Sequence, residues 1–518
     1  MITYDITPRQ YRCWGLTIDP PVATLILGGG QDDGGDGRDA DDGPGSELSV
    51  LLRADIELSD ALQRLRFEYP DVAVVVVTGG TDQAFCRGIA EIPPGSAPHI
   101  ATNARAFRNE VLCGIEDASV NSGQRWLAAL NGSAVGPGYE LALATDEIVL
   151  LEDDRCAVAL AGDCTAGALA RLVDKRRVRP DLIDAFCCRP EGLSGQRAAE
   201  WGLVDVVVTA SRFEEVVGDR ARAARHTPRG TLAESVELGT LWREDFDGGF
   251  AYPNLRVDFH ESATAATLTI CGPSNRECFA PEPGPRRLRS HWWPLAVCRE
   301  IDDALLLLRS NWPEVLTLVV RTEGDPLAVA SADVALTSGY ENDWFVREVV
   351  LSWKRALKRL DFAWQSVVAL VEPGSCFVGT LFELALASDR IYMVDTAPDG
   401  AGEPPAQILL TSINFGPLPQ ASGLTRLEAR FLTQPEHLAA LAQKVGDPIS
   451  ATEAVKLGLV TDIFAAPEWD ESIHRAIEER AGLAFDAREG LTAARHAAGA
   501  ATLETKILGR HASSGASR

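Results

Sequence analysis

The chain has 518 residues, 46% of them hydrophobic, which at about 150 residues per domain gives roughly two to four compact units, each large enough to bury a core. With 49 Lys and Arg against 74 Asp and Glu, the net charge of −25 argues against nucleic acid or an anionic membrane as the main partner, because phosphate recognition needs clustered cations. The 11 cysteines are too sparse for a disulfide scaffold and form no CxxC pair, so they read as reduced, buried small residues, the adjacent Cys187 and Cys188 included.

The opening segment, MITYDITPRQYRCWGLTIDPP, lacks the apolar run of a signal peptide, and stretches such as Val72 to Val77 are far too short to span a bilayer. The expected location is cytoplasmic, with no membrane contact. VATLIL then reads as a strand, Gln31 to Gly45 as a solvated Gly/Asp loop, DALQRLRFEYP from Asp60 as an amphipathic helix, and VAVVVV as a buried strand. The GGDGRDAD stretch in that loop lacks the apolar position that stacks calcium-binding repeats, so no metal is expected there.

WLAALNGSAVGPGYELALATDEIVLL reads as strand, Gly-rich turn, helix of small and apolar residues, and strand. Further on, Lys175, Arg176, Arg177 and Arg179 form a basic run, either a solvated helix end or a contact for phosphates. Residues 223–250 show no strand alternation and read as a connector.

The remainder repeats the beginning. Ala23-Thr24-Leu25 recurs as Ala266-Thr267-Leu268, DALQRLRFEYPDVAVVVV as DALLLLRSNWPEVLTLVV, and GPGYELALATD as GTLFELALASD, all at one offset of 243. AAEWGLVD recurs as AVKLGLVT at 256, the shift expected of a net insertion. The fold class is therefore α/β, with two tandem β/α modules at residues 1–222 and 251–480, and a helical segment with a polar tail over 481–518.

Chemistry concentrates between Asn131 and Asp146. A Gly-rich turn feeding a helix start leaves backbone N–H groups without intrahelical partners, and with the helix dipole these can hold a developing oxyanion. Glu140, a few residues into that helix among Tyr139, Leu141 and Leu143, should hold its proton more tightly than a free glutamate and so suit proton transfer. No HExxH, GxxxxGK[ST], GxSxG or strand-borne GxGxxG motif is present, and no two His stand at i,i+4, so His99, His260 and His291 do not read as metal ligands.

FCRG followed by Ile89, NGSAVGPGYELALATDE and AAEWGLVD resemble the crotonase (enoyl-CoA hydratase/isomerase) superfamily, whose members stabilise thioester enolates of acyl-CoA. Within it, YRCWGLTIDPPVATL, DIELSDALQRLRFEYPDV, HWWPLAVCREIDDALL, EPGSCFVGTLFELALASDR and INFG resemble the benzoyl-CoA-dihydrodiol lyase family over nearly the whole chain. The resemblance implies two tandem crotonase-like β/α-spiral modules, the second degenerate. It implies an acyl-CoA thioester as partner, CoA as part of the substrate with no separate cofactor, and a homo-oligomer. The implied reaction is hydrolytic ring opening of an epoxybenzoyl-CoA-like substrate, with Glu140 as acid/base.

Carried over by position, the N–H of Ile89, just after Gly88, is one oxyanion donor. The other falls on the middle residue of Gly136-Pro137-Gly138, and proline has no N–H. Losing one donor costs about 2.7 to 4 kcal/mol of transition-state stabilisation unless Gly138 substitutes. The family's second carboxylate is missing, and Asp163 is the nearest candidate. In the second copy Glu383 matches Glu140, Ser412 stands where the second carboxylate would be, and a structural role is expected; Cys86 reads as packing. These departures leave a second reading open, a non-catalytic relative that binds an acyl-CoA or scaffolds a partner enzyme.

Overall fold

The computed structural model describes residues 1–30, 44–80, 85, 89–93, 95–160, 164–224, 229–261, 264–274, 278, 289–395, 405–482, 487, 490–491 and 499–509. Two compact units divide them, one comprising Met1–Thr240 together with the stretch from Leu503, the other Leu241–Thr502.

In the first unit, strands β1 (Trp14–Asp19) and β2 (Val22–Leu27) form an antiparallel pair, and β2 buries every second residue, as a half-covered strand should. Helix α1 (Pro44–Phe67) crosses to β3 (Val74–Gly79), whose four valines are all buried because both neighbours run parallel to it and both sheet faces are covered. Helix α2 (Pro98–Asn121) leads to β4 (Arg125–Leu130), and a short strand β5 (Ala134–Val135) precedes α3 (Pro137–Ala144). After β6 (Glu147–Glu152) and β7 (Ala157–Ala159) come α4 (Ala166–Ala170) and, directly continuous with it, a π-helical turn at Arg171–Lys175. Helix α5 (Pro180–Cys187), strand β8 (Leu193–Ser194), α6 (Gly195–Glu200), β9 (Val206–Thr209) and α7 (Phe213–Ala223) complete the unit. The main sheet runs β1-β2-β3-β4-β6-β9, parallel from β2 onward, and β5-β7-β8 form a small second sheet.

The second unit repeats this plan. Its eight-stranded sheet takes β10 (Glu244–Phe246), β11 (Gly249–Ala251), β12 (Leu255–Phe259), β13 (Ala265–Cys271), β14 (Thr317–Glu323), β15 (Ser366–Val371), β16 (Arg390–Asp395) and, after the small pair β17 (Ile408–Leu409) and β18 (Pro448–Ile449), β19 (Asp462–Ala465). Asp146 and Asp389, at the repeat offset, do matching work. Asp146 accepts the Trp126 N–H at 2.8 Å and Asp389 the Val367 N–H at 2.8 Å, so each pins the helix exit to the strand before it.

One expectation is corrected. Residues 223–250 are not a plain connector. Residues 229–238 dock back on the first unit through Arg229 and Val236 N–H bonds to Pro70 and Phe67, and Glu244–Ala251 form the edge hairpin of the second sheet. That hairpin escapes a hydrophobic-period search because Glu244 and Asp245 face solvent, while Phe246 is held by the Arg256 guanidinium and Phe250 by stacking on Trp312. The end of the C-terminal segment, read from the sequence as a helical stretch after the second module, belongs to the first unit. Helix Leu503–Leu508 packs on the first unit, burying Ile507 and Leu508 and pairing Lys506 with Asp174 at 2.6 Å. The Gln31–Gly45 loop and the polar tail fall almost wholly outside the described residues.

Candidate active site

Ligands of parallel α/β sheets collect at the carboxyl ends of the strands, and the candidate residues lie there. Strand β3 ends at Gly79, where a side chain has no room, because a Cβ would stand 2.7 Å from Asn131 Oδ1 and 3.1 Å from the Phe85 Cα. Asn131, just past β4, donates to the Gly79 carbonyl at 2.9 Å and accepts the Gly79 N–H at 3.2 Å. The two strand ends that launch the Ile89 loop and the Gly136 turn are thereby fastened together. Ile89 is half-buried in a bend, and the next carbonyl, Ala90, accepts Arg108 Nη2 at 3.0 Å. Arg108 in turn pairs with the buried Asp55 on α1 at 3.1 Å.

Gly136 is the N-cap of α3 at φ +53°, a left-handed value that glycine adopts without strain. Pro137 takes the first helical position, where its fixed φ suits the helix and where no N–H would find an intrahelical partner. The first N–H available in that turn is therefore Gly138's. Gly136 has no side chain with which to cap the turn. Glu140 is buried, and among the described residues the only hydrogen-bond donor to its carboxylate is Thr165 Oγ1, on Oε1. Burial pushes the Glu140 carboxyl above the ordinary glutamate range, while the Thr165 hydroxyl and the Arg108 and Arg171 guanidiniums pull it back. Thr165 has a second task, accepting the Ala168 N–H at 3.1 Å as N-cap of α4.

Behind this carboxylate stands a cation cluster. Arg171, fully buried in the π-helical turn, places Nε and Nη2 on Glu116 at 3.0 and 3.1 Å, and Lys175 reaches Glu116 at 3.2 Å. Against the cost of burial, Arg171 and then Lys175 hold the Glu116 carboxyl below its ordinary range. Three of the four residues in the basic run are thus committed to their own chain or near it, since Arg176 pairs with Asp205 and Arg179 with Asp181.

The second unit has the same backbone and a different occupant. Gly379, the match of Gly136, also has positive φ, +42°, but Thr380 replaces Pro137 and supplies an N–H. That N–H is taken by Asp333 Oδ2 at 3.0 Å, with the Thr380 and Thr411 hydroxyls on the same carboxyl at 2.5 and 2.9 Å. Glu383 accepts Asn414 Nδ2 at 2.7 Å and Arg426 Nη1 at 3.0 Å, and Arg426 also binds Asp361 at 2.7 Å. Every group is nearly inaccessible to solvent.

The structure brings Glu140, Gly136, Pro137 and Gly138 together on one turn. Gly88, Asp163 and Cys86 lie outside the described residues. Sequence reasoning missed Thr165, Arg108, Arg171 and Asp333. A hydroxyl meeting a carboxylate 25 residues away carries no sequence period.

Residues 51–234 match the family described as enoyl-CoA hydratase/isomerase. Benzoyl-CoA-dihydrodiol lyase of Aromatoleum evansii is 42% identical over 522 aligned residues, covering 98% of this chain and 91% of that protein. Carnitinyl-CoA dehydratase of Proteus mirabilis is 28% identical over 184 residues, 33% of this chain and 67% of the relative. The solved enoyl-CoA hydratase of Bacillus anthracis is 22% identical, covers 43% of this chain and 79% of its own, and has a TM-score of 0.31.

Proposed function

Because the chain belongs to the enoyl-CoA hydratase/isomerase family, in the branch that holds benzoyl-CoA-dihydrodiol lyase, we propose that it is a lyase of an aromatic or ring-derived acyl-CoA thioester, with Glu140 as its acid/base. The single observation that carries this reading is 42% identity to that lyase over 98% of the chain, with the buried Glu140 standing in the first turn of the helix that Gly136 opens. In the proposed reaction an epoxybenzoyl-CoA-like ring is opened by water. The Glu140 carboxylate accepts a proton from a second water as it adds to the aldehyde carbon, formed by that opening, next to the thioester-bearing carbon; the bond between these two carbons breaks, formate leaves carrying the water oxygen, and the electron pair passes to the thioester enolate, whose α-carbon takes the proton back from the Glu140 carboxyl. The N–H groups of Ile89 and Gly138 polarise the thioester carbonyl, Gly138 standing in for the donor that Pro137 cannot supply. CoA enters with the substrate, and the reading invokes no other cofactor.

One observation favours a second reading. Pro137 removes a donor, and among the described residues no second carboxylate shares a hydrogen bond with Glu140, as a protein that binds acyl-CoA without turning it over would tolerate. Purified protein given 2,3-epoxybenzoyl-CoA, and separately simple enoyl-CoAs, should release formate or hydrate, and Glu140→Gln should abolish this. Tight acyl-CoA binding with no turnover of either would establish the second reading instead.

A further inference from the structure

Arg171 spends only part of its guanidinium. Nε and Nη2 lie on Glu116, while Nη1 is buried with no hydrogen-bond partner among the described residues. An orphaned guanidinium nitrogen in the interior is costly, and such groups ask for an explanation. Nη1 lies against Gly167, where a Cβ would come within 3.1 Å of it, two residues beyond the threonine that holds Glu140. The charges are also unbalanced, since one carboxylate, Glu116, faces two cations, Arg171 and Lys175.

The second unit holds an arginine whose guanidinium is fully used. Arg426, followed like Arg171 by a buried leucine and 255 residues later in the chain, binds Asp361 and turns its Nη1 onto Glu383 at 3.0 Å. There two carboxylates satisfy one guanidinium and the glutamate is locked. In the first unit the arginine sits on a π-helical turn, an irregularity that often marks functional sites.

We propose that Arg171 is a positioning residue for Glu140, its Nη1 held in reserve for the Glu140 carboxylate whenever that group has given up its proton. This rests on the acid/base reading of Glu140 and deepens it. The proton leaves Glu140 for the ring carbon, and the negative charge it leaves is met by the surplus positive charge of the Glu116, Arg171 and Lys175 cluster. Among the described residues, the other charged groups that act on Glu140 are Arg108 on α2 and Asp55 on α1, which pair with each other, with Arg108 Nη2 on the Ala90 carbonyl.

The test is an infrared titration of the full-length protein, in which the protonated-carboxyl band lost in Glu140→Gln identifies Glu140. Arg171→Gln should raise its midpoint by about one pH unit, with Arg171→Lys falling between it and the wild type. Glu116→Gln, which frees the guanidinium, should lower it. A purely structural role for Arg171 would not move the two variants in opposite directions, so any other pairing of shifts overturns the proposal. Should Arg171→Gln fail to fold, Glu116→Gln decides alone: a lowered midpoint upholds the proposal, and an unchanged or raised one sinks it. Turnover surviving in Glu140→Gln would defeat the acid/base reading by itself, while the infrared shifts would still report on Arg171.

Discussion

A single hydroxyl separates the two behaviours open to Glu140. Burial raises its carboxyl and Thr165 lowers it, so Thr165→Val should raise it further. For a group acting as base, turnover is present above the folded pKa and lost as pH falls through it. The acidic limb of kcat/KM should therefore move to higher pH in Thr165→Val, by roughly one unit, which is ~1.4 kcal/mol and near the worth of one hydrogen bond to a charge. Thr165→Ser should restore the wild-type profile, because it keeps both the bond to Glu140 and the cap on Ala168. Glu140→Gln should abolish turnover with acyl-CoA binding preserved, measured by stopped-flow turnover and by calorimetry. Asp333 has the opposite dependence on pH from an ordinary salt-bridged aspartate. Its carboxyl is pushed up to about 7 by burial, so the folded state binds the proton more tightly than the unfolded chain. Its contribution is greatest below the unfolded pKa near 4 and is lost as pH rises toward 7, at up to about 1.4 kcal/mol per unit. Denaturant titrations at pH 4.5 and 7.5 should show this slope, and Asp333→Asn should flatten it.

At the scale of elements, the parallel strands and the helices between them were readable because their apolar residues recur with the right period and then recur again 243 positions later. The hairpin Glu244–Ala251 was not, because its polar face leaves only scattered aromatic anchors. Nor was the return of Leu503–Leu508 to the first unit, since a short helix with two buried residues looks like any frayed terminus until its destination is known. Ile507→Ala should cost about 2 to 5 kcal/mol, read as a lowered denaturation midpoint, because the side chain is completely covered and its neighbours cannot all close the void. Of the candidate site, the turn and its glutamate were visible as a motif, while Thr165, Arg108 and Arg171 emerge only when distant segments meet. Arg426→Met should destabilise by about 3 to 5 kcal/mol, since it removes the guanidinium that both Asp361 and Glu383 face in the interior.

Across the molecule, each half owns a sheet and a core, so stability and chemistry can be perturbed separately. Arg426→Met should shift one part of the calorimetric unfolding profile and leave the Glu140 pH profile in place; a shifted Glu140 profile would show that the halves are not independent in this respect. The carboxyl of Asp333 is seated on the Thr380 amide. It behaves as an inhibitor permanently leashed to its own receptor, at an effective concentration no free thioester reaches in solution. On the proposed function, an enolate-mimicking CoA ester should therefore saturate this polypeptide at a single equivalent per chain.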